Sequence, residues 1–281
     1  MEHKSFSLKE NLGLIRAIEN NCPDLPYASL MKALRQKDVK VNGVRVSKDM
    51  QVHKGDKIEI YYSVNYDIEI VYEDKNILIP FKPSGIETVG ENSFNDKLSK
   101  KYNNLYPVNR LDRNTTGLVI FAKSEKVKEI LKQESKNGAI TKDYLARVSG
   151  ELKKEEDTLI GYLVKDSTSS TVKIKTHPVK DSVEIVTKYK LYKDDICPLL
   201  KVTITNGKTH QIRAHLAFIG NPIVGDNKYG DVEINKTYNK KRQLLMCYKL
   251  SFNIKDELLS YLNKTKIEIK NPDKRKEISL K

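Results

Sequence analysis

Residues 110–124 read RLDRNTTGLVIFAKS: an aspartate between two arginines, then a polar turn and an apolar strand. Arg110 and Arg113 cannot deprotonate, so a neighbouring Asp112 would be held as a carboxylate, suited to nucleophilic or electrostatic work rather than to donating a proton. An isolated Arg-Leu-Asp triplet is more often an ordinary loop salt bridge, so the wider sequence has to decide. A second polar run, TNGKTHQIRAHLAFIGNPIVGDNKYG over residues 205–230, gathers Lys208, His210, Arg213 and His215. The two histidines are five positions apart, which on a helix turns them about 140° from one another, unlike the shared face of an i, i+4 metal-binding pair. Helix anchoring and hydrogen bonding suit them better than ligation. The three cysteines, Cys22, Cys197 and Cys247, show no CxxC spacing, so neither a disulfide framework nor a thiolate metal site is expected. No nucleotide-binding loop, metal cluster or cofactor lysine is legible, so no cofactor or metal is expected.

The elements that must hold these residues can be read from periodicity. Residues 12–20 and 27–37 predict two short helices, with Leu12, Ile15 and Ile18, then Leu30 and Ala33, recurring at helical spacing. VKVNGVRV alternates valine with polar residues around Asn42-Gly43, the signature of a tight hairpin. KIEIYY predicts a further half-buried strand, and this small unit is expected to end near residue 63. Beyond it lie short strand candidates: IEIVY, NILIPF, GLVIFAK, DYLARV, VEIVTKYKLY, LLKVTIT and QLLMCYKLSF. Two helices are expected among them, SEKVKEILKQES and THQIRAHLAFIG. Thr209 would cap the latter, and Ile212, Leu216 and Ile219 would face inward. The expected class is α+β, a mainly antiparallel mixed sheet in residues 64–281 preceded by a small α+β domain in residues 1–63. Residues 152–157 and the charged tail from 255 are expected to be peripheral.

Lysine and arginine outnumber aspartate and glutamate by 51 to 37, and the resulting +14 is spread along the chain, which points to a polyanionic partner. The excess is densest between Met31 and Lys48, where Lys32, Arg35, Lys37, Lys40, Arg45 and Lys48 are opposed only by Asp38. Phosphate contacts are the natural use of such a cluster, although a solvated basic face has the same composition. The N-terminus lacks the apolar core of a secretory signal, and no segment reaches the roughly 18 apolar residues that span a bilayer. A soluble, cytoplasmic protein is expected, and a monomer.

Several of these segments together resemble one family. RLDRNTTGLVIFAK resembles the signature of RluA-class pseudouridine synthases, and residues 205–230 resemble that family's GRTHQIRxHLxxxGxPIxGDxxYG. ITKDYLARVSG, FKPSG (81–85) and RQLLMCYKLSF resemble three shorter family segments, in the family's order. The helix, helix, basic hairpin pattern of residues 12–62 is similar to the small RNA-binding domain first described in a ribosomal small-subunit protein.

The resemblance implies an RNA isomerase that converts uridine to pseudouridine by base flipping. Asp112 would be its catalytic residue, Arg110 would help displace the target base, and Tyr144 would stack on it. Leu245 would pack against the base, Arg213 would pair with the catalytic carboxylate, and Lys208 would stand where the family commonly has arginine. The implied partner is RNA, ribosomal large-subunit RNA before transfer RNA. The sequence departs from the family at Asn109 and Met246, where histidine is usual. Those departures keep a second expectation open, a non-catalytic RNA-binding or assembly protein with the same fold. A metal-dependent RNA hydrolase ranks last, because the ligand set it needs is not evident.

Overall fold

The computed structural model describes residues 2–22, 25, 27–62, 68–166 and 170–280. The chain divides into two compact units, Met1–Asp67 and Ile68–Lys281. The boundary expected between residues 63 and 64 falls on a stretch outside the described residues.

In the first unit, β1 (Glu2–Ser7), α1 (Leu14–Asn21), α2 (Tyr27–Arg35), β2 (Val39–Val41), β3 (Val44–Val46) and β4 (Lys57–Tyr62) form the main elements. The antiparallel sheet runs β1-β4-β2-β3. The hairpin forms because Asn42 and Gly43 both adopt positive φ, 49° and 81°, matching the twist of the flanking strands. The Asn42 side chain also accepts the Lys57 N–H and donates to Asp56, pinning the turn to the next strand. Leu14, Ile18, Leu30, Leu34, Val39, Ile58 and Ile60 make a closed apolar core. One expectation needs correction, and one strand was not foreseen. The first helix starts at Leu14, because Leu12 and Gly13 pair with Gln51 and Val52 as a short ladder. Residues 2–7 form the edge strand β1, for which HKSFS offered no strong alternation.

The second unit is built on one long sheet. Its principal strands are β5 (Ile70–Glu73), β6 (Ile77–Lys82), β7 (Thr116–Leu118), β8 (Ile140–Arg147), β9 (Glu156–Lys165), β10 (Val172–Lys175), β11 (Val183–Lys193), β12 (Leu199–Ile204) and β13 (Leu245–Phe252). The order is β10-β9-β11-β12-β8-β13-β7-β6, with β5 beside β6. Every neighbouring pair among these is antiparallel except β7 and β13. The mixed, mainly antiparallel α+β fold expected from the sequence is the one observed. Gly117 makes the parallel join possible: at φ 114° its hydrogen side meets the Cys247 backbone, where a Cβ would lie 2.1 Å from the carbonyl oxygen. The helices are α3 (Phe94–Ser99), α4 (Glu125–Lys136), α5 (Gln211–Phe218) and α6 (Val232–Thr237). α4 is capped by Ser124 and buries Val127 and Leu131. α5 packs on β9, β10 and β11.

The C-terminal segment also corrects its expectation. Leu262, Ile267, Ile269 and Ile278 are buried, Leu250 pairs with Ile267, and Arg147 donates from Nε to the Ile278 carbonyl. Its charged residues are interleaved with apolar ones that pack against β13.

Candidate active site

The loop carrying Asp112 is fixed by bonds on both sides. Thr88 Oγ donates to the Leu111 carbonyl at 2.9 Å, Gly85 N–H donates to Arg113 O at 2.9 Å, and Ser84 Oγ donates to Asn114 O at 3.2 Å. Lys82, fully buried, donates from Nζ to the carbonyls of Pro83, Ile86 and Arg113. Three carbonyls fit the three protons of an ammonium, although burial pushes this amine down to about 7. Asn109 accepts the Ile120 N–H at 2.8 Å, so it has a loop-locking role of its own. Its amide nitrogen is buried and has no hydrogen-bond partner among the described residues.

Helix α5 supplies the charge opposite this loop. Arg213 Nη1 donates to Asp112 Oδ2 at 2.8 Å, while Nε and Nη2 grip both oxygens of Asp226 at 2.6 and 2.9 Å. Asp226 Oδ1 also accepts the backbone N–H groups of Lys228 and Tyr229, so both buried oxygens have hydrogen-bond partners. Burial alone would raise the Asp226 carboxyl, but Arg213 and the two backbone donors more than offset it and hold it below the usual range. Burial likewise works against the Arg213 cation, and Asp226 and then Asp112 hold it firmly protonated. The Tyr229 ring lies 5.3 Å from the guanidinium carbon.

The helix start differs from the expected Thr209 cap. His210 occupies the cap position in the left-handed region, φ 54°, without a side-chain cap bond. Gln211 accepts the Lys208 N–H instead, and donates to Val186 O and Thr187 Oγ, tying the helix to β11. Gln211 through Leu216 are buried, whereas Ile219 is only half-buried. The two histidines part as expected: His215 bonds Thr187 through Nδ1, and His210 bonds Tyr229.

Asp112, Arg110, Tyr144, Lys208, Arg213 and Leu245 all line one cleft of about 390 Å³, a size within the roughly 300–1,000 Å³ of small-ligand pockets. Asp112 is partly open to it. Read from its own loop, Asp112 was expected to be charged by Arg110 and Arg113; both are exposed, and Asp112 pairs with Arg213, as the family resemblance implied. Burial, with Cys247 and Asp112 nearby, pushes the Tyr144 phenol well above its ordinary value, so it stays protonated and presents a neutral ring. Leu245 holds its place because Thr116 Oγ donates to its carbonyl and strand alternation turns it to the cleft. Met246, next along, is fully buried and does not line the cleft.

Lys32, Arg35, Lys37 and Arg45 are exposed in the first unit, with Lys40 half-buried. Arg45 donates to Lys37 O, and Lys40 Nζ lies 5.3 Å from the Tyr61 ring centre. Sequence reading gave no role to Asp226 or Tyr229, although the segment GDNKYG that holds them was visible. Nothing in the linear sequence shows that this aspartate is buried against an arginine.

A family model described as RNA pseudouridylate synthase matches residues 76–218. An uncharacterised RNA pseudouridine synthase of Mycoplasma capricolum subsp. capricolum is 30% identical over 294 residues, covering 94% of this chain and 95% of that protein. The ribosomal large subunit pseudouridine synthase C of Rickettsia felis is 31% identical over 243 residues, covering 75% of this chain and 79% of its own. Among solved structures, human RNA Pseudouridylate Synthase Domain Containing 1 superposes with a TM-score of 0.58 at 23% identity, over 72% of this chain and 82% of that one, a likeness of fold. Among the described residues no helix is long and apolar enough to cross a membrane.

Proposed function

Because the chain belongs to the RNA pseudouridylate synthase family and is an isomerase acting on RNA, we propose that Asp112 is its catalytic carboxylate and that large-subunit ribosomal RNA is its substrate. In the reaction the bond from ribose C1′ to uracil N1 breaks, the ring turns, C5 joins C1′ and gives up its proton, and N1 takes one up. Nothing is oxidised and no group is consumed. A carboxylate at the sugar either captures the electron-poor C1′ or removes a sugar proton, and Asp112 serves in both routes.

The observation that carries this reading is the pairing of Asp112 with Arg213 at the wall of a cleft that Tyr144 and Leu245 also line. Arg213 ties Asp112 through Oδ2, and Asp112 lines the cleft. Tyr144 offers a neutral ring on which a flipped uracil recovers part of its lost stacking, and Leu245 supplies an apolar contact. Arg110 and Lys208, exposed at the same cleft, are suited to the RNA strand and its phosphates. Lys32, Arg35, Lys37, Lys40 and Arg45 make the first unit a second RNA-contacting surface. The choice of ribosomal RNA draws on the relatives named for the large subunit.

The non-catalytic alternative is less well supported. Of the three departures from the family pattern, Asn109 has a structural bond, Lys208 keeps its charge, and Met246 lies outside the cleft. Carbodiimide mapping of pseudouridine in ribosomal and transfer RNA, from cells with and without the gene, tests the substrate. Sites that vanish from large-subunit RNA are expected; sites that vanish only from transfer RNA would reassign it.

A further inference from the structure

His210 lines the cleft, and the mechanism above gives it no task. It takes the left-handed backbone conformation, φ 54° and ψ 16°, and its two nitrogens face different groups. Nδ1 lies 2.9 Å from the Tyr229 hydroxyl, and Nε2 lies 4.0 Å from Asp112 Oδ2.

The neighbours select the tautomer. The Tyr229 oxygen already accepts the Val172 N–H at 2.8 Å, so its own proton is available for Nδ1. A proton on Nδ1 instead would aim the Nε2 lone pair at the Asp112 carboxylate. With the proton on Nε2, both ends face a complementary group. The doubly protonated ring would need the Tyr229 oxygen to accept a second hydrogen bond beside that of Val172. Burial opposes it, as do the nearby cations Arg213 and Lys228, against the pull of Asp112 and Asp226.

We infer that Tyr229 and His210 form a relay that holds His210 as its Nε2–H tautomer and presents that N–H to the 2′-hydroxyl of the target ribose. The inference rests on Asp112 acting at the sugar. If Asp112 approaches C1′ to about 3 Å, the 2′-hydroxyl, one carbon away, is the nearest sugar hydroxyl to a donor placed beside the same carboxylate. Uracil itself is met by Tyr144 and Leu245. His210 is thereby a specificity-determining residue, because the 2′-hydroxyl distinguishes an RNA target from a DNA one.

Two measurements test it. Nitrogen NMR of the full chain labelled in histidine should show an unprotonated Nδ1 and a protonated Nε2 at His210; a proton on Nδ1 overturns the relay. The second uses oligoribonucleotides carrying the mapped target as uridine or as 2′-deoxyuridine, read by single-turnover rate and by Kd. His210→Asn tolerates the left-handed backbone but is too short to reach. It should slow conversion of the uridine target about tenfold, the scale of one neutral hydrogen bond. His210→Gln, with an amide N–H near the Nε2 position, should recover part of this. On the 2′-deoxy target the wild type and His210→Asn should coincide in rate and in Kd. An equal penalty on both targets would overturn the ribose contact. A wild type that converts neither would contradict the role of Asp112 and the ribose contact together, while the tautomer still decides the relay.

Discussion

Arg213 Nη1 lies 2.8 Å from Asp112 Oδ2 across 101 residues of sequence, and Asp226 holds the other edge of the same guanidinium with both its oxygens. One planar fork therefore links two carboxylates in fixed geometry, which a point charge on a flexible stem cannot do. Arg213→Lys is expected to keep RNA affinity within a few-fold and to lower the single-turnover rate by about a hundredfold, the scale of a misplaced catalytic group. Asp226→Asn removes one partner of a buried pair, and its main expected effect is a loss of about 3–5 kcal/mol of stability in denaturant melts. A fully active Arg213→Lys enzyme would mean that only the charge matters.

The basic cluster of the first unit makes a separate prediction. In the full chain, replacing Lys32, Arg35, Lys37, Lys40 and Arg45 with glutamine should weaken RNA binding. It should also flatten the dependence of log Kd on log salt by roughly three to five, if each side chain releases one counterion. An unchanged slope would make the cluster a solvated face.

Burial lowers His215 from its ordinary 6.5 to about 4. The folded value lies below the unfolded one, so the unfolded chain takes up the proton first as pH falls. The stability contributed is whole above about 6.5 and is lost progressively toward 4. Wild-type Tm should drop between pH 7 and pH 5, and His215→Gln, which cannot titrate, should show a smaller drop. Equal drops would place the acid sensitivity elsewhere.

What was legible in the sequence and what was not divide along physical lines. The Asn42-Gly43 hairpin, helix α4 and the alternating strands were readable because each is decided by residues within a few positions. Asp112, Tyr144, Arg213 and Leu245 were singled out through motifs, and they converge on one cleft. Reading Asp112 from its own loop alone missed Arg213, which lies 101 residues away and was indicated only by the family motif. Asp226 and Tyr229 were missed because their roles depend on α5 lying against their loop, a tertiary fact. The cap of α5 was missed because a positive φ at His210 leaves no mark in composition.

Met246 stands where the family usually has histidine, and restoring it is an informative change. The side chain is fully buried and outside the cleft, so Met246→His should leave the single-turnover rate within about twofold and lower Tm through burial of an imidazole without a prepared partner. A clear gain in rate would show that this position reaches the reaction after all.

The central claim is that the Asp112 carboxylate performs the isomerisation. Asp112→Asn is nearly isosteric, still offers Arg213 an acceptor oxygen and removes only the charge and its reactive oxygen. Tritium release from carbon-5-labelled uridine in unmodified ribosomal RNA should be complete with the wild type and absent with Asp112→Asn, the variant retaining its Tm within a few degrees and its affinity for RNA. Substantial release by a well-folded Asp112→Asn protein would contradict the account.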